Sequence, residues 1–259
     1  MAELLDQVSA VARDVGAMAL SRWRGEFASW DKVPGHVVCE IDLAANAMLQ
    51  DALRAIDPEA GWLSEETADS AERLLRSRVW VVDPIDGTRD FVRGRPGWAV
   101  SVALVEGGRA VLGVLDAPAR GEHWAAALGG GARRNGVPVA ASTRTALPGA
   151  RVPADALPRV DADLVAVTKP NSIALRIAIV AAGEADLLAG IRWGHEWDIA
   201  AAALIAQEAG ATVTDARGQP LRFNSTKGEM FGVLAAAPGI HAAAVARLAE
   251  RARIAAVRG

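Results

Sequence analysis

Trp80-Val81-Val82-Asp83-Pro84-Ile85-Asp86-Gly87-Thr88-Arg89-Asp90-Phe91 carries an uninterrupted apolar run, Val79 to Val82, into two aspartates three residues apart. A run of that length stopping at Asp83-Pro84 predicts a buried strand. Gly87 then frees the backbone to turn, so both carboxylates arrive at one strand end beside amide groups able to face an anion. A Pro-Gly turn with solvated acids would use the same residues, but two further segments weigh against it. Trp197-Asp198 opens an alanine-rich helix that ends at Glu208-Ala209-Gly210, and an acid pair stands in Leu63-Ser64-Glu65-Glu66-Thr67. Alone, Asp198 reads as an N-cap and Glu65-Glu66 as a solvated loop.

Outward from this stretch the pattern is mixed. Leu4, Leu5, Val8, Val11, Val15 and Met18 repeat at three and four residues, which predicts an amphipathic first helix. A second helix is expected from Asp42 to Ile56, closed by Asp57-Pro58. Strands follow from Trp98 to Val105 and from Ala110 to Asp116 around Glu106-Gly107-Gly108, and Asn135-Gly136 makes another turn. After a weakly patterned stretch from Ala141 to Asp163, strands are expected at Leu164 to Thr168, Ala185 to Ala189, Ala211 to Asp215 and Phe231 to Ala236. Helices alternate with them at Ser172 to Ala182, Asp198 to Ala209 and Ile240 to Arg251. The expectation is α+β for an N-terminal domain of residues 1–143, carrying most of the acids, and α/β for a C-terminal domain of residues 144–259, contributing Asp198.

Composition excludes several classes. With 259 residues, 51% of them hydrophobic, the chain can bury a large core without disulfides or structural zinc. Its single cysteine, Cys39, fits a reducing cytoplasm. A net charge of -3 gives no general attraction to a nucleic-acid polymer or an anionic membrane. Glu3, Asp6, Arg13 and Asp14 interrupt any signal-peptide core, and no stretch offers the ~18 uncharged apolar residues of a membrane span. The alanine excess reads as codon bias. His195-Glu196 is followed by Ile199 where a zinc helix needs histidine, and Gly129-Gly130-Gly131 satisfies neither dinucleotide nor Walker spacing, so it reads as a tight strand connection. His36, His123 and His241 read as surface or structural residues. A nucleophilic-aspartate phosphatase of the haloacid dehalogenase kind needs an aspartate where Pro84 stands.

The three acidic segments together resemble the lithium-sensitive, magnesium-dependent phosphatase family that includes inositol monophosphatases and bisphosphate nucleotidases. The resemblance runs through nearly the whole chain: first helix, acid pair, Asp-Pro-Ile-Asp-Gly-Thr, hairpin, then Trp-Asp-x-Ala-Ala with Glu-Ala-Gly closing its helix. It implies a layered α-β-α-β-α sandwich of the inositol monophosphatase/fructose-bisphosphatase type. It further implies that Glu65, Asp83, Asp86, Asp198 and the Ile85 carbonyl bind two or three Mg²⁺ ions, and that Thr88 and Glu65 position the attacking water. Gly87 and Thr88 amides would hold phosphate oxygens together with Asp86 and Asp198, and Asp42 would stand behind the ligands. The family usually carries threonine where Cys39 stands. Converging carboxylates raise one another's pKa unless cations neutralise them, and an all-oxygen ligand set suits a hard ion.

Within that family, inositol monophosphatases commonly place a glutamate seven residues before the Trp-Asp aspartate. Ile191 stands there. Leu63-Ser64-Glu65-Glu66, Glu196-Trp197-Asp198 and Asp90 resemble the bisphosphate nucleotidases, and Arg176 falls where that branch tends to carry a lysine. The expected substrate is a small phosphomonoester, foremost adenosine 3′,5′-bisphosphate, with myo-inositol 1-phosphate, fructose or histidinol phosphates as alternatives. A catalytically idle regulatory protein on the same fold and a homodimeric state are compatible with the sequence. Lys32 is a candidate partner for the residues around Asp42, but at a one-residue shift an exposed lysine is the preferred reading.

Overall fold

The computed structural model describes residues 1–257. The first half forms α1 (Ala2–Arg22), β1 (Ser29–Val33), β2 (His36–Cys39), α2 (Glu40–Ile56), β3 (Gly61–Ser64), β4 (Arg78–Asp86), α3 (Thr88–Val92), β5 (Ala99–Glu106), β6 (Arg109–Ala117), β7 (Glu122–Ala127), β8 (Ala132–Arg134) and β9 (Val137–Pro138). The second forms β10 (Arg151–Pro153), β11 (Val165–Val167), α4 (Ile173–Ala181), β12 (Leu187–His195), α5 (Ala200–Glu208), β13 (Thr212–Thr214), β14 (Glu229–Ala236) and α6 (Pro238–Val257).

Strands β3 to β9 make one seven-stranded sheet in chain order, parallel only at β3–β4, and β12-β14-β13 make a smaller antiparallel sheet. The apolar stripe of α1 (Val8, Ala12, Val15) and that of α2 (Ala45, Leu49, Leu53) pack on Trp80, Val82, Val102 and Leu112 of the large sheet. Its opposite face meets α4 and α5, which also contact the small sheet, whose far side is covered by α6 through Ile240, Ala244 and Leu248. The chain therefore builds a five-layer α-β-α-β-α sandwich. The central core joins Leu63, Val81 and Trp124 to Leu188, Leu204 and Val233, residues from both sides of position 143.

Alanine has a packing role in the middle layer. Every residue from Ala200 to Ala206 is buried, and α5 lies so close to β6 that a β-carbon at Gly113 would stand 2.6 Å from the Ala201 carbonyl oxygen. Larger side chains on that face would separate helix from sheet.

Two strands run further than their apolar patterns suggest. β4 does not end before Pro84 but continues to Asp86, with Asp83 opposite Ser101 and Asp86 opposite Ala99. Three steps on β4 thus match two on β5, a bulge that accommodates the missing proline N–H. β12 continues past Ala189 to His195, with a register irregularity between Gly190 and Trp193. The Leu164 to Thr168 strand shortens to β11, and α6 extends beyond Arg251 to Val257.

Candidate active site

A cavity of about 480 Å³ opens where the end of β4, the start of α4 and the end of β12 meet. Glu65, Asp83, Asp86, Gly87, Thr88, Arg176 and Asp198 all stand on its wall. The bulge in β4 brings Asp83 and Asp86 here, both nearly enclosed at 2% and 6% exposure. Gly87 follows with φ +97, and a β-carbon there would meet the Gly97 carbonyl oxygen at 2.6 Å and the Ser172 nitrogen at 3.0 Å. Only glycine makes this turn and admits the approach of both loops.

The acids raise one another's pKa. Burial, then the charges of Glu65, Asp86 and Asp198, hold the Asp83 carboxyl well above the carboxylate range. Burial, then Asp86 and Glu65, push Asp198 up to about 8. Asp86 is raised to about 6 by burial, against hydrogen bonds from Ser172, Ala174 and Ile173 that favour its charge. Each acid leans on an internal donor. Asp86 accepts the Ser172 hydroxyl, the Ala174 N–H at 2.7 Å and the Ile173 N–H at 3.3 Å, which caps α4. Asp83 accepts the Ile85 N–H at 3.0 Å, and Asp198 accepts the His195 N–H at 3.3 Å. Held this way, no three His, Cys, Asp or Glu side chains among the described residues converge on one point as a preformed metal cage. The donor set still fits a divalent cation, since four buried, mutually repelling carboxylates are neutralised most simply by a hard metal ion.

Asp198 does not cap its helix. Ile199 takes the N-cap position of α5, which leaves the Asp198 carboxylate on the cavity wall. Thr88 likewise does not cap α3. Its hydroxyl lies 3.1 Å from Asp42 Oδ1 and 3.0 Å from the Ile85 carbonyl oxygen. Asp42 Oδ2 accepts the Cys39 N–H at 2.8 Å, so this carboxylate keeps two donors without a threonine at position 39. Burial raises Asp42 to about 6 and, with Asp42 beside it, pushes the Cys39 thiol to about 12.

Lys32, at home among exposed residues of β1, reaches the site. Its ammonium pairs with the Glu66 carboxylate and lies 3.5 Å from Glu65 Oε1. Burial acts to lower its pKa, but Glu65 and Glu66 overcome this and hold the charge on.

The same wall also carries cationic and aromatic side chains. Arg176 folds back, donating to the Pro170 and Asn171 carbonyls at 2.7 and 2.6 Å, with the Asp86 charge acting on it. Arg192, Trp193 and His195 line the same cavity; the first two do not stand out in the sequence, and His195 figures there only as the start of a zinc-helix pattern. The Trp193 indole is 44% exposed, and His195 stacks on Trp197 at 4.2 Å. His36, expected to be a surface or structural residue, is also on the wall, whereas His123 pairs with buried Asp116 and His241 with Thr214. Ile191 is not on it: the β12 irregularity turns it into the apolar layers beside α6. Glu208 accepts the Gly129 and Gly131 N–H groups, consistent with a tight strand connection there.

Comparison with known proteins follows the same outline. The sequence pattern of the inositol monophosphatase family matches residues 1–256. The fructose-1,6-bisphosphatase/inositol-1-monophosphatase of Thermotoga maritima is 34% identical over 227 residues, 83% of this chain and 86% of that protein. The 3′(2′),5′-bisphosphate nucleotidase CysQ of Escherichia coli K12 is 32% identical over 230 residues, 85% and 94% of the two chains. In structure, the Thermotoga maritima IMPase superposes with a TM-score of 0.85 at 30% identity, covering 98% of this chain and all of that one. No helix among the described residues is long and apolar enough to cross a membrane.

Proposed function

The chain belongs to the inositol monophosphatase family of metal-dependent phosphatases, and from that premise we propose that it removes the 3′-phosphate of adenosine 3′,5′-bisphosphate. The observation that carries this reading is the pair of guanidinium groups, Arg176 and Arg192, on the wall of the same cavity as the four acids. A substrate with one phosphate gives those cations nothing to bind. A bisphosphate places its scissile group at the acids and its retained group at the arginines, and the exposed Trp193 indole offers a face for the base. Ile191, turned away from the cavity, supplies no acceptor for a polyol hydroxyl. Fructose 1,6-bisphosphate satisfies the arginines equally and is the second reading. The buried thiol of Cys39 suits a cytoplasmic setting.

In this reading Glu65, Asp83, Asp86, Asp198 and the Ile85 carbonyl hold Mg²⁺, which supplies an activated water and offsets charge on the phosphoryl oxygens. The residues themselves orient and exclude. The Thr88 hydroxyl, with its proton directed to Asp42, keeps lone pairs free to accept a hydrogen from the attacking water. Glu65, held by Lys32, flanks the same water. The Gly87 and Thr88 amides receive phosphate oxygens, and Asp42 fixes the rotamer of Thr88.

Comparing kcat/KM for adenosine 3′,5′-bisphosphate and myo-inositol 1-phosphate, before and after Arg176→Ala, tests the substrate. The bisphosphate is expected to be preferred, and the variant to lose roughly tenfold to a hundredfold on it, the scale of a charge-assisted contact of about 1.5–3 kcal/mol. On inositol phosphate the loss should stay within about threefold. Equal losses on both, or a wild-type preference for inositol phosphate, would remove the nucleotidase reading and leave the phosphatase. Fructose 1,6-bisphosphate as the better substrate would select the second reading.

Stability without metal should depend on pH with a defined sign. Asp42 and Asp86 at about 6 and Asp198 at about 8 keep protons that an unfolded chain, with carboxylates near about 4, has already released. The folded state therefore binds more protons between about pH 4 and pH 8, and its stability falls as pH rises through that window. In EDTA the melting temperature is expected to decline from about pH 5.5 to about pH 8.5. At a hundredfold excess over its Kd, Mg²⁺ adds about 2.7 kcal/mol, or about 5–10 °C for a chain of this size. A melting temperature in EDTA that holds level over that range would separate these acids from one another.

A further inference from the structure

Two enclosed charges lie outside the cavity wall: Glu196, 0% exposed, and Arg73, 2% exposed. Glu196 stands between His195, the last residue of β12, and Trp197-Asp198. Its Oε2 accepts the Asn224 N–H at 2.5 Å and its Oε1 the Ser225 N–H at 2.8 Å, while its own N–H donates to the Gly228 carbonyl at 2.9 Å. The loop of residues 224–228 is thus fastened three times to the residue two before Asp198. Arg73 fastens the same loop from the other side. Its Nη1 donates to Asn224 Oδ1 at 2.6 Å, and its fork closes on Asp69 at 2.6 and 2.7 Å. Asp69 belongs to the segment that follows Glu65 and Glu66. Gly228 completes the seat, with room for no more than 3.3 Å between a β-carbon there and the Leu63 methyls of β3.

Glu65 leaves the end of β3 in the large sheet, and Asp198 follows the end of β12 in the small one. Both acids stand on the wall of the one cavity, each following a strand of a different sheet. We propose that Arg73 and Glu196 are positioning residues that clamp loop 224–228 between the two sheets and thereby fix the separation of Glu65 and Asp198 at which both engage one metal cluster. The inference rests on the reading of those acids as Mg²⁺ ligands. Glu196, the first acid of Glu196-Trp197-Asp198, then acts through the loop and touches neither metal nor substrate. Two enclosed opposite charges are costly to assemble unless all their hydrogen bonds are made, and here both oxygens of Glu196 and the fork of Arg73 are engaged.

The test is Mg²⁺ binding measured by calorimetry on the full chain, with folding followed by circular dichroism. Glu196→Gln keeps the volume but turns an NH₂ group toward an N–H of the loop, and Arg73→Lys keeps the charge but loses the fork. Each is expected to stay folded and to raise the Mg²⁺ dissociation constant about tenfold, the scale seen when residues behind metal ligands are altered. The Mg²⁺ concentration for half-maximal activity should rise in parallel. The double variant should bind Mg²⁺ no more weakly than the worse single one, because both act through one loop. Wild-type Mg²⁺ affinity in a folded Arg73→Lys or Glu196→Gln protein, even with a lowered melting temperature, would overturn the clamp while leaving the ligand reading intact. If the wild-type chain binds no Mg²⁺, the ligand reading fails and the clamp with it.

Discussion

Exhaustive chelation with EDTA is expected to abolish phosphate release from every phosphomonoester this protein turns over, with Mg²⁺ restoring it. The expected loss is at least about a hundredfold, since the residual site is four crowded carboxyl groups with no Lewis acid to activate water or offset the phosphoryl charge. Burial and mutual repulsion hold Glu65, Asp83, Asp86 and Asp198 above their ordinary values. Among the described residues no arginine is hydrogen-bonded to any of them, and Lys32 shares its charge between Glu65 and Glu66. Without a cation the cavity repels its substrate. The metal should be Mg²⁺ because the donors are all oxygens. Of the two histidines on the wall, His195 is stacked on Trp197 with its Nδ1 buried and unpartnered. Li⁺ should inhibit, as it does in the family generally. Full phosphate release after chelation, or restoration by Zn²⁺ and not Mg²⁺, would show that the acids serve another purpose.

Much of this site could be read before any coordinates, and the reasons are local. An apolar run ending in Asp-Pro-Ile-Asp-Gly states its own geometry, because Gly87 must turn and the preceding strand must be buried. The order of helices and strands is equally local, whereas the five layers are implied by the family resemblance and not by periodicity. Bulges are where this fails. The extra residue in β4 carries the strand through Pro84, and a period-two pattern has no way to register it. In β12 the irregularity between Gly190 and Trp193 does more harm, since counting seven residues back from Asp198 reaches Ile191, which faces the core. The residues that line the cavity are its neighbours Arg192 and Trp193. Lys32 illustrates a second kind of failure. Its strand β1 is exposed throughout, and its partner lies 34 residues further along the chain, so local patterning carries no trace of the pair. The alanines of α5 are a third case, where composition is identical whether alanine reflects codon usage or a helix pressed against a sheet.

Asp86→Asn is expected to lower kcat/KM by about a hundredfold or more while leaving the fold intact. The structure gives Asp86 two tasks that this substitution separates. Its carboxylate accepts the hydroxyl of Ser172, the N-cap of α4, and the Ile173 and Ala174 N–H groups, and asparagine retains an oxygen for the Ser172 hydroxyl and the Ala174 N–H, which share one carboxylate oxygen. What asparagine cannot supply is the negative charge that would hold Mg²⁺ against the phosphoryl group. Removing that charge also changes stability, in a direction set by two opposing effects. The helix donors favour the anion, whereas burial opposes it, and the pKa of about 6 shows that burial prevails over all the hydrogen bonds. At pH about 8 the ionised aspartate is therefore a net burden on the metal-free fold. The variant should melt at a higher temperature than wild type in EDTA and gain much less on adding Mg²⁺. Thermal melts in EDTA and in Mg²⁺, beside a phosphate-release assay, read both consequences from one protein. A variant within about threefold of wild type in rate would remove Asp86 from the metal site. A lower melting temperature in EDTA would mean that the cap on α4 outweighs the buried charge, and that the acids are not crowded enough to need a cation.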